Sequence, residues 1–199
     1  PIFPELMVSP TPGGQSAQGQ RLSPPGILMT GATGFLGSRL IRLLMDAGYA
    51  VTAFSRNPPP PAGTAEKTGT TEATAPAESG STHAPHWIAW DGHSALPPGT
   101  FAGIGAIVHL AGAPLLPGRW TEKAKQRHRE SRAGMARALL RSLAASPHRP
   151  QVIVSASGMG YYGPVVGREV EETDPPGRDY LAGLAVDWES AVAEAETLG

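Results

Sequence analysis

Apolar positions along the chain come in short bursts, and the spacing within each burst predicts its element. Ile27-Leu28-Met29-Thr30 is an apolar run bounded by Gly26 and Gly31, the signature of a strand buried on both faces of a parallel sheet. Leu36, Leu40, Leu43 and Leu44 then recur at helical spacing, and Ala47-Gly48 supplies a stop. A second apolar run, Ala50-Val51-Thr52-Ala53-Phe54, follows at once, so residues 27 to 54 predict one βαβ unit of the usual ~30 residues. Further on, His86-Trp87-Ile88-Ala89-Trp90 predicts a third strand, and Ala106-Ile107-Val108-His109-Leu110-Ala111-Gly112 a fourth with its exit glycine. Thr121 predicts the N-cap of a long helix reaching about Ala145, with Ala124, His128, Met135, Leu139 and Leu143 along one face and Pro147 and Pro150 ending it. Gln151-Val152-Ile153-Val154-Ser155 predicts a fifth strand, and Leu181, Leu184, Ala185, Trp188 and Val192 a last helix running almost to the terminus. Strands that alternate with helices predict an α/β fold: a doubly wound parallel sheet of Rossmann-like type, with its ligand crevice outside the carboxyl ends of the strands.

Two stretches break this alternation. Residues 1–26 carry Pro4, Pro10, Pro12, Pro24 and Pro25 among Gly, Ser and Gln, a composition too poor in apolar surface to offset chain entropy, and are expected to be a disordered leader. Asn57 to Pro85 opens with four consecutive prolines and continues in Thr, Ala, Glu, Gly and Ser. It is expected to be a flexible surface insertion at 57–85 within a single domain spanning 27–199. His83 and His86 lie at its end without carboxylate or thiolate support, so no metal site is expected.

Composition narrows the partners. A net charge of -1 gives no broad basic surface, which disfavours nucleic acid and anionic membrane and leaves a small molecule as the expected partner. The chain has no cysteine, which excludes disulfides, thiolate metal ligands and a cysteine nucleophile. No run approaches the ~18 apolar residues of a membrane span, and no signal-peptide pattern opens the chain, so a cytoplasmic protein is expected.

The candidate chemistry begins where the first strand ends. Gly31, Gly34 and Gly37 are spaced three apart: the first permits a sharp turn, the second lets backbone approach phosphates, and the third lets the helix pack closely. The free amides of the first helical turn then face an anion, so Gly31, Thr33, Gly34, Phe35, Leu36 and Gly37 are expected to line a dinucleotide. An acidic residue at the end of strand two would bind ribose hydroxyls and repel a 2′-phosphate. Here the strand ends in Ser55-Arg56, a hydroxyl and a guanidinium suited to a phosphate dianion, which favours NADP(H) over NAD(H).

Thr30-Gly31-Ala32-Thr33-Gly34-Phe35-Leu36-Gly37, His109-Leu110-Ala111-Gly112 and the segment from Ser155 to Gly163 follow strands one, four and five in that order. This order resembles the extended short-chain dehydrogenase/reductase superfamily. Ser55-Arg56-Asn57-Pro58, Trp90-Asp91, Leu110 to Pro114, Gly118 to Thr121, Glu130-Ser131-Arg132 and Trp188-Glu189 are similar to one branch, the nucleotide-sugar-epimerase-like family often labelled cell-division-inhibitor homologues. The resemblance covers residues 27 to 57 and 86 to 196, and implies that a C-terminal substrate lobe is missing from this chain. It places Asp91 near the adenine, with an N-cap or turn role equally open, and Ala111 and Gly112 beside the cofactor's central ribose. Helices corresponding to 121–145 and 180–198 pair in many superfamily dimers, which leaves a homodimer open.

Competent members of the superfamily use a Ser or Thr after strand five and a Tyr-x-x-x-Lys pair on the next helix, the lysine lowering the phenol pKa. This chain departs from that pattern: Tyr180 is followed four residues later by Leu184, and no lysine occurs after Lys125. Without the cation, a phenol of pKa near ~10 is a poor base. Ser157 and Tyr161 are therefore the candidate catalytic residues, with Ser155 and Tyr162 as neighbours, and a structural role for the loop tyrosines stays open. Arg119 and Trp120 either grip an anionic or ring-bearing substrate or belong to a solvated, cation-rich helix face. Two readings follow: an NADP(H)-dependent oxidoreductase or epimerase-like enzyme, or a non-catalytic NADP(H)-dependent sensor that lost the Tyr-Lys pair.

Overall fold

The computed structural model describes residues 25–59, 84–116 and 118–198. Residues 1–24 of the expected leader and most of the expected insertion lie outside the described residues, while Gly26, placed in that leader by composition, opens the first strand. Five strands, β1 (Gly26–Thr30), β2 (Val51–Ser55), β3 (His86–Ala89), β4 (Ile104–His109) and β5 (Val152–Ser155), form one sheet in the order β3-β2-β1-β4-β5. Every neighbouring pair is parallel, with Ile27 opposite Val51, Thr30 opposite His109 and His109 opposite Ser155. Strand order reverses at β1, so the crevice between the exits of β1 and β4 is the topological switch point.

Alternation along the strands assigns the two faces. Ile27 and Met29 of β1, Val51 and Ala53 of β2 and Val108 of β4 pack with Ile41 of helix α1 (Phe35–Asp46) on one side. Leu28, Phe54 and Ile107 point to the other and meet Leu139, Leu140 and Leu143 of helix α3 (Met135–Ala144). Because both faces are covered, β1 and β2 read as nearly continuous apolar runs rather than alternating ones. β5 differs, since Val152 and Val154 each remain 44% exposed.

α1 ends as Ala47-Gly48 predicts. Gly48 has φ 88°, its N–H donates to the Met45 carbonyl, and the Tyr49 N–H reaches back to Leu44, the double closure of a Schellman motif. The leucine pattern is only partly right: Leu40 and Leu44 pack on the sheet, whereas Leu36 and Leu43 are 63% and 66% exposed and the buried positions are Gly37 and Ile41. The helix lies so close to the turn beneath it that glycine, not leucine, marks its contact line.

The long helix predicted from Thr121 to Ala145 is three pieces: α2 (Glu122–Arg129), a π turn (Glu130–Gly134) and α3. Thr121 caps it, its hydroxyl accepting from the Ala124 N–H at 3.2 Å. The widened turn rotates the buried face, so beyond His128 the buried apolar positions become Ala133, Ala136, Ala138, Leu139, Leu140 and Leu143, while Met135 is only partly buried. Helix α4 (Tyr180–Ala193), capped by Asp179, packs against the π turn and α3 through Ala133, Ala136 and Ala191. No helix among the described residues is long and apolar enough to cross a membrane.

Candidate functional site

The first strand exit is built around Gly31. Its φ of 72° is left-handed, and a Cβ there would lie 2.6 Å from the Leu110 carbonyl carbon and 2.7 Å from the Ala111 nitrogen, so only glycine lets the β1 and β4 exits touch. Gly37 is equally constrained: a Cβ would fall 2.2 Å from the Gly31 carbonyl oxygen. The first turn of α1 therefore sits directly on the loop. Gly34 is the N-cap, no side chain caps the helix, and the first turn holds no acidic residue. Unpartnered amides at a positive dipole end suit a diphosphate, so these residues fit a dinucleotide. Phe35, 81% exposed, and Leu36 flank that turn, with Thr33 exposed beside them.

Thr30 ties this turn to the next strand. Its hydroxyl lies 2.7 Å from His109 Nδ1 and accepts from the Ala111 N–H at 3.3 Å, while the Leu110 N–H donates to the Thr30 carbonyl. His109 is fully buried edge-on to Trp188, and burial lowers its pKa to about 4. Sequence reading missed this pair, although a histidine and a threonine ending two adjacent parallel strands are the available signal.

On the other side of β1, Ser55 is half-buried and its hydroxyl accepts from the Asn57 N–H at 3.2 Å, with Arg56 exposed beyond it. Asp91 closes the turn after β3: one carboxylate oxygen accepts from the His93 and Ser94 amides at 2.8 Å, and the other from the Ser94 hydroxyl at 2.5 Å. These bonds, the Ser94 hydroxyl first, hold its pKa down to about 2. Asp91 thus shapes the turn after β3 at the same sheet edge.

After β5, Ser157 donates its hydroxyl proton to a carboxylate oxygen of Glu189 on α4. Ser155 instead donates to the Ala156 carbonyl at 3.0 Å. Tyr161 and Tyr162 occupy a short 3-10 turn, Met159–Tyr162, with ring centroids 5.2 Å apart; the Tyr161 carbonyl accepts from Gly177, and burial raises the Tyr162 pKa. The Ser157–Glu189 pair escaped sequence reading because its members are far apart in the chain and only the packing of α4 joins them.

Tyr180 does not reach this edge. Its hydroxyl donates to the Lys125 carbonyl at 3.0 Å, its ring lies 5.2 Å from the Arg129 guanidinium and 5.3 Å from Trp120, and burial raises its pKa. Trp120 also packs on His128, which leaves it 37% exposed. Lys125 pairs with Glu122, and Arg129 lies 3.5 Å from Asp187. Of this cation-rich segment, Lys125 is thus paired from within and Arg129 from α4.

The exits of β1, β4 and β5 thus form one crevice edge of the sheet, with the uncapped N-terminus of α1 above it. The family model for NAD-dependent epimerases and dehydratases matches residues 27–196. The chain belongs to the NAD-dependent epimerase/dehydratase family. Among its relatives, the epimerase family protein YfhF of Bacillus subtilis is 30% identical over 174 residues, covering 87% of this chain and 51% of that protein. Human epimerase family protein SDR39U1, solved with NADPH, is 29% identical with a TM-score of 0.62, covering 83% of this chain and 48% of the other. A nucleoside-diphosphate sugar epimerase from Corynebacterium glutamicum is 27% identical with a TM-score of 0.63, covering 89% of this chain and 32% of its own. The chain spans about half the length of the curated relatives it matches.

Proposed function

We propose that this family member is an NADP(H)-binding, epimerase-like oxidoreductase of the cytoplasm that acts on a small-molecule alcohol or carbonyl. The observation that carries the reading is the bare N-terminus of α1, held against the β4 exit by Gly31 and Gly37. Its first-turn amides hold the diphosphate, and Phe35 and Leu36 shield it. Ser55 and Arg56 favour the 2′-phosphate: an exposed guanidinium pairs with a dianion in bidentate fashion, and no carboxylate ends β2 to repel it. The NADPH bound by the human relative supports the choice, although NAD-bound structures occur within the same fold. A nicotinamide dinucleotide, when bound, supplies hydride transfer.

The proton side falls to the chain itself. Ser157 already gives its proton to Glu189, so its oxygen is free to accept a hydrogen bond from a substrate hydroxyl and pass a proton toward the carboxylate. Tyr161 provides a second hydroxyl on the same loop. Incubating the protein with NADPH and a panel of carbonyl compounds and nucleotide sugars, while following the reduced nicotinamide absorbance, tests the reading; turnover of at least one compound is expected.

A second reading is favoured by Tyr180, whose hydroxyl is consumed by the Lys125 carbonyl. An NADP(H)-dependent sensor with no chemistry needs only the cofactor cradle. Saturable NADPH binding with no turnover across the panel would decide for it.

A further inference from the structure

We propose that Ser131 and Arg132 of the π turn form a clasp that fixes the β4 exit loop for the nicotinamide half of the dinucleotide, which makes both of them positioning residues. The inference rests on the cofactor reading above.

Both backbone groups of Ala113 are held by adjacent side chains of the turn. The Ala113 N–H donates to Ser131 Oγ at 2.9 Å, and Arg132 Nη2 donates to the Ala113 carbonyl at 3.0 Å. The guanidinium is itself seated: its Cζ lies 5.3 Å from the Trp188 ring centroid, and Nη1 donates to the His128 carbonyl at 3.4 Å. Gly112 makes room for it, since a Cβ there would come within 3.0 Å of Arg132 Cζ. The small residue that looks reserved for the cofactor's ribose is thus occupied from behind by the arginine.

From the other side the same loop is fastened to β1, through Leu110 N–H to the Thr30 carbonyl and Ala111 N–H to the Thr30 hydroxyl. Leu110, Ala111 and Ala113 are therefore, between them, fixed at four backbone groups, and a loop so held meets its ligand without an ordering cost. A π turn set into an α-helix is a frequent device at functional sites.

Topology says which half of the ligand is concerned. Ser55, Arg56 and Asp91 follow β2 and β3, on one side of β1, while the clasped loop and Ser157 follow β4 and β5 on the other. A dinucleotide lying across the switch point puts adenosine on the first side and nicotinamide on the second. The Arg132 guanidinium is engaged by carbonyls, so it acts through the loop and not on a phosphate.

The test titrates wild type, R132K, R132M and S131A with NADPH and, separately, with adenosine 2′,5′-bisphosphate, with folding checked by circular dichroism. R132M is expected to weaken NADPH about tenfold and to leave the bisphosphate within about twofold, because only the nicotinamide side loses its support. R132K is expected to resemble R132M, since an ammonium cannot reproduce the stacked fork, and S131A to lose about threefold for NADPH alone. Unchanged NADPH affinity in folded variants, or an equal loss for both probes, overturns the clasp. If R132M does not fold, S131A and R132K decide by the same criterion. A folded wild type that takes neither probe removes the cofactor reading and the clasp with it.

Discussion

His109 is neutral in the folded sheet because its ring is 1% exposed and lies against Thr30 and the edge of Trp188. Burial lowers its pKa from 6.5 to about 4, so between those values the unfolded chain binds the proton that the folded one refuses. The stability it contributes is complete above about pH 6.5 and is lost as pH falls toward 4; the gap corresponds to roughly 3 kcal/mol. Urea unfolding at pH 7 and at pH 4.5 measures this, and His109→Asn is expected to flatten the dependence. At the cofactor edge, Arg56→Glu is expected to lower NADPH affinity by at least about tenfold and to narrow or reverse the preference over NADH, as measured by paired titrations. At the chemical edge, Glu189→Gln and Ser157→Ala are each expected to lower kcat by about a hundredfold with NADPH binding unchanged, and to combine without additivity. A kcat equal to wild type in both would exclude the pair from the proton path. The sequence names Ser157 readily, because it stands in a strand-exit motif. Glu189 is legible only as part of Trp188-Glu189, with nothing local to reveal its partner.

Among the elements, those ruled by short-range chemistry were readable. The Thr121 cap and the Gly48 stop follow from residues within a few positions of the helix end, and both form as their chemistry requires. Elements ruled by tertiary packing were not. Nothing in Glu130-Ser131-Arg132-Ala133-Gly134 marks a π turn, because its register is set by the loop and by α4, which it holds. Likewise Leu36 and Leu43 keep a helical period yet face outward, since Gly37 draws α1 onto the Gly31 turn. Gly37→Ala forces a Cβ to within 2.2 Å of a backbone oxygen, and is expected to destabilise the fold by about 2 to 3 kcal/mol through displacement of the helix. Thermal unfolding checks this; a melting temperature equal to wild type would mean that the close packing of α1 carries no energetic weight.

In the molecule as a whole, the doubly wound parallel sheet and the coverage of both its faces follow from apolar runs separated by crossovers and were legible in the sequence, whereas the order β3-β2-β1-β4-β5 is set by which strands pair in the fold. Strand limits shift by a residue or two, as pairing and not composition ends each strand. Because all strands are parallel, every exit loop with distinctive residues comes to one edge, and the glycine turn, Ser55-Arg56, the clasped loop and Ser157 share it. The central claim is that this edge is a dinucleotide cradle that selects the extra phosphate. Calorimetric titration of the folded protein with NADPH and NADH tests it most directly. Saturable binding of both, with NADPH tighter by at least about tenfold, is the predicted result; a folded protein that takes up neither dinucleotide would contradict it.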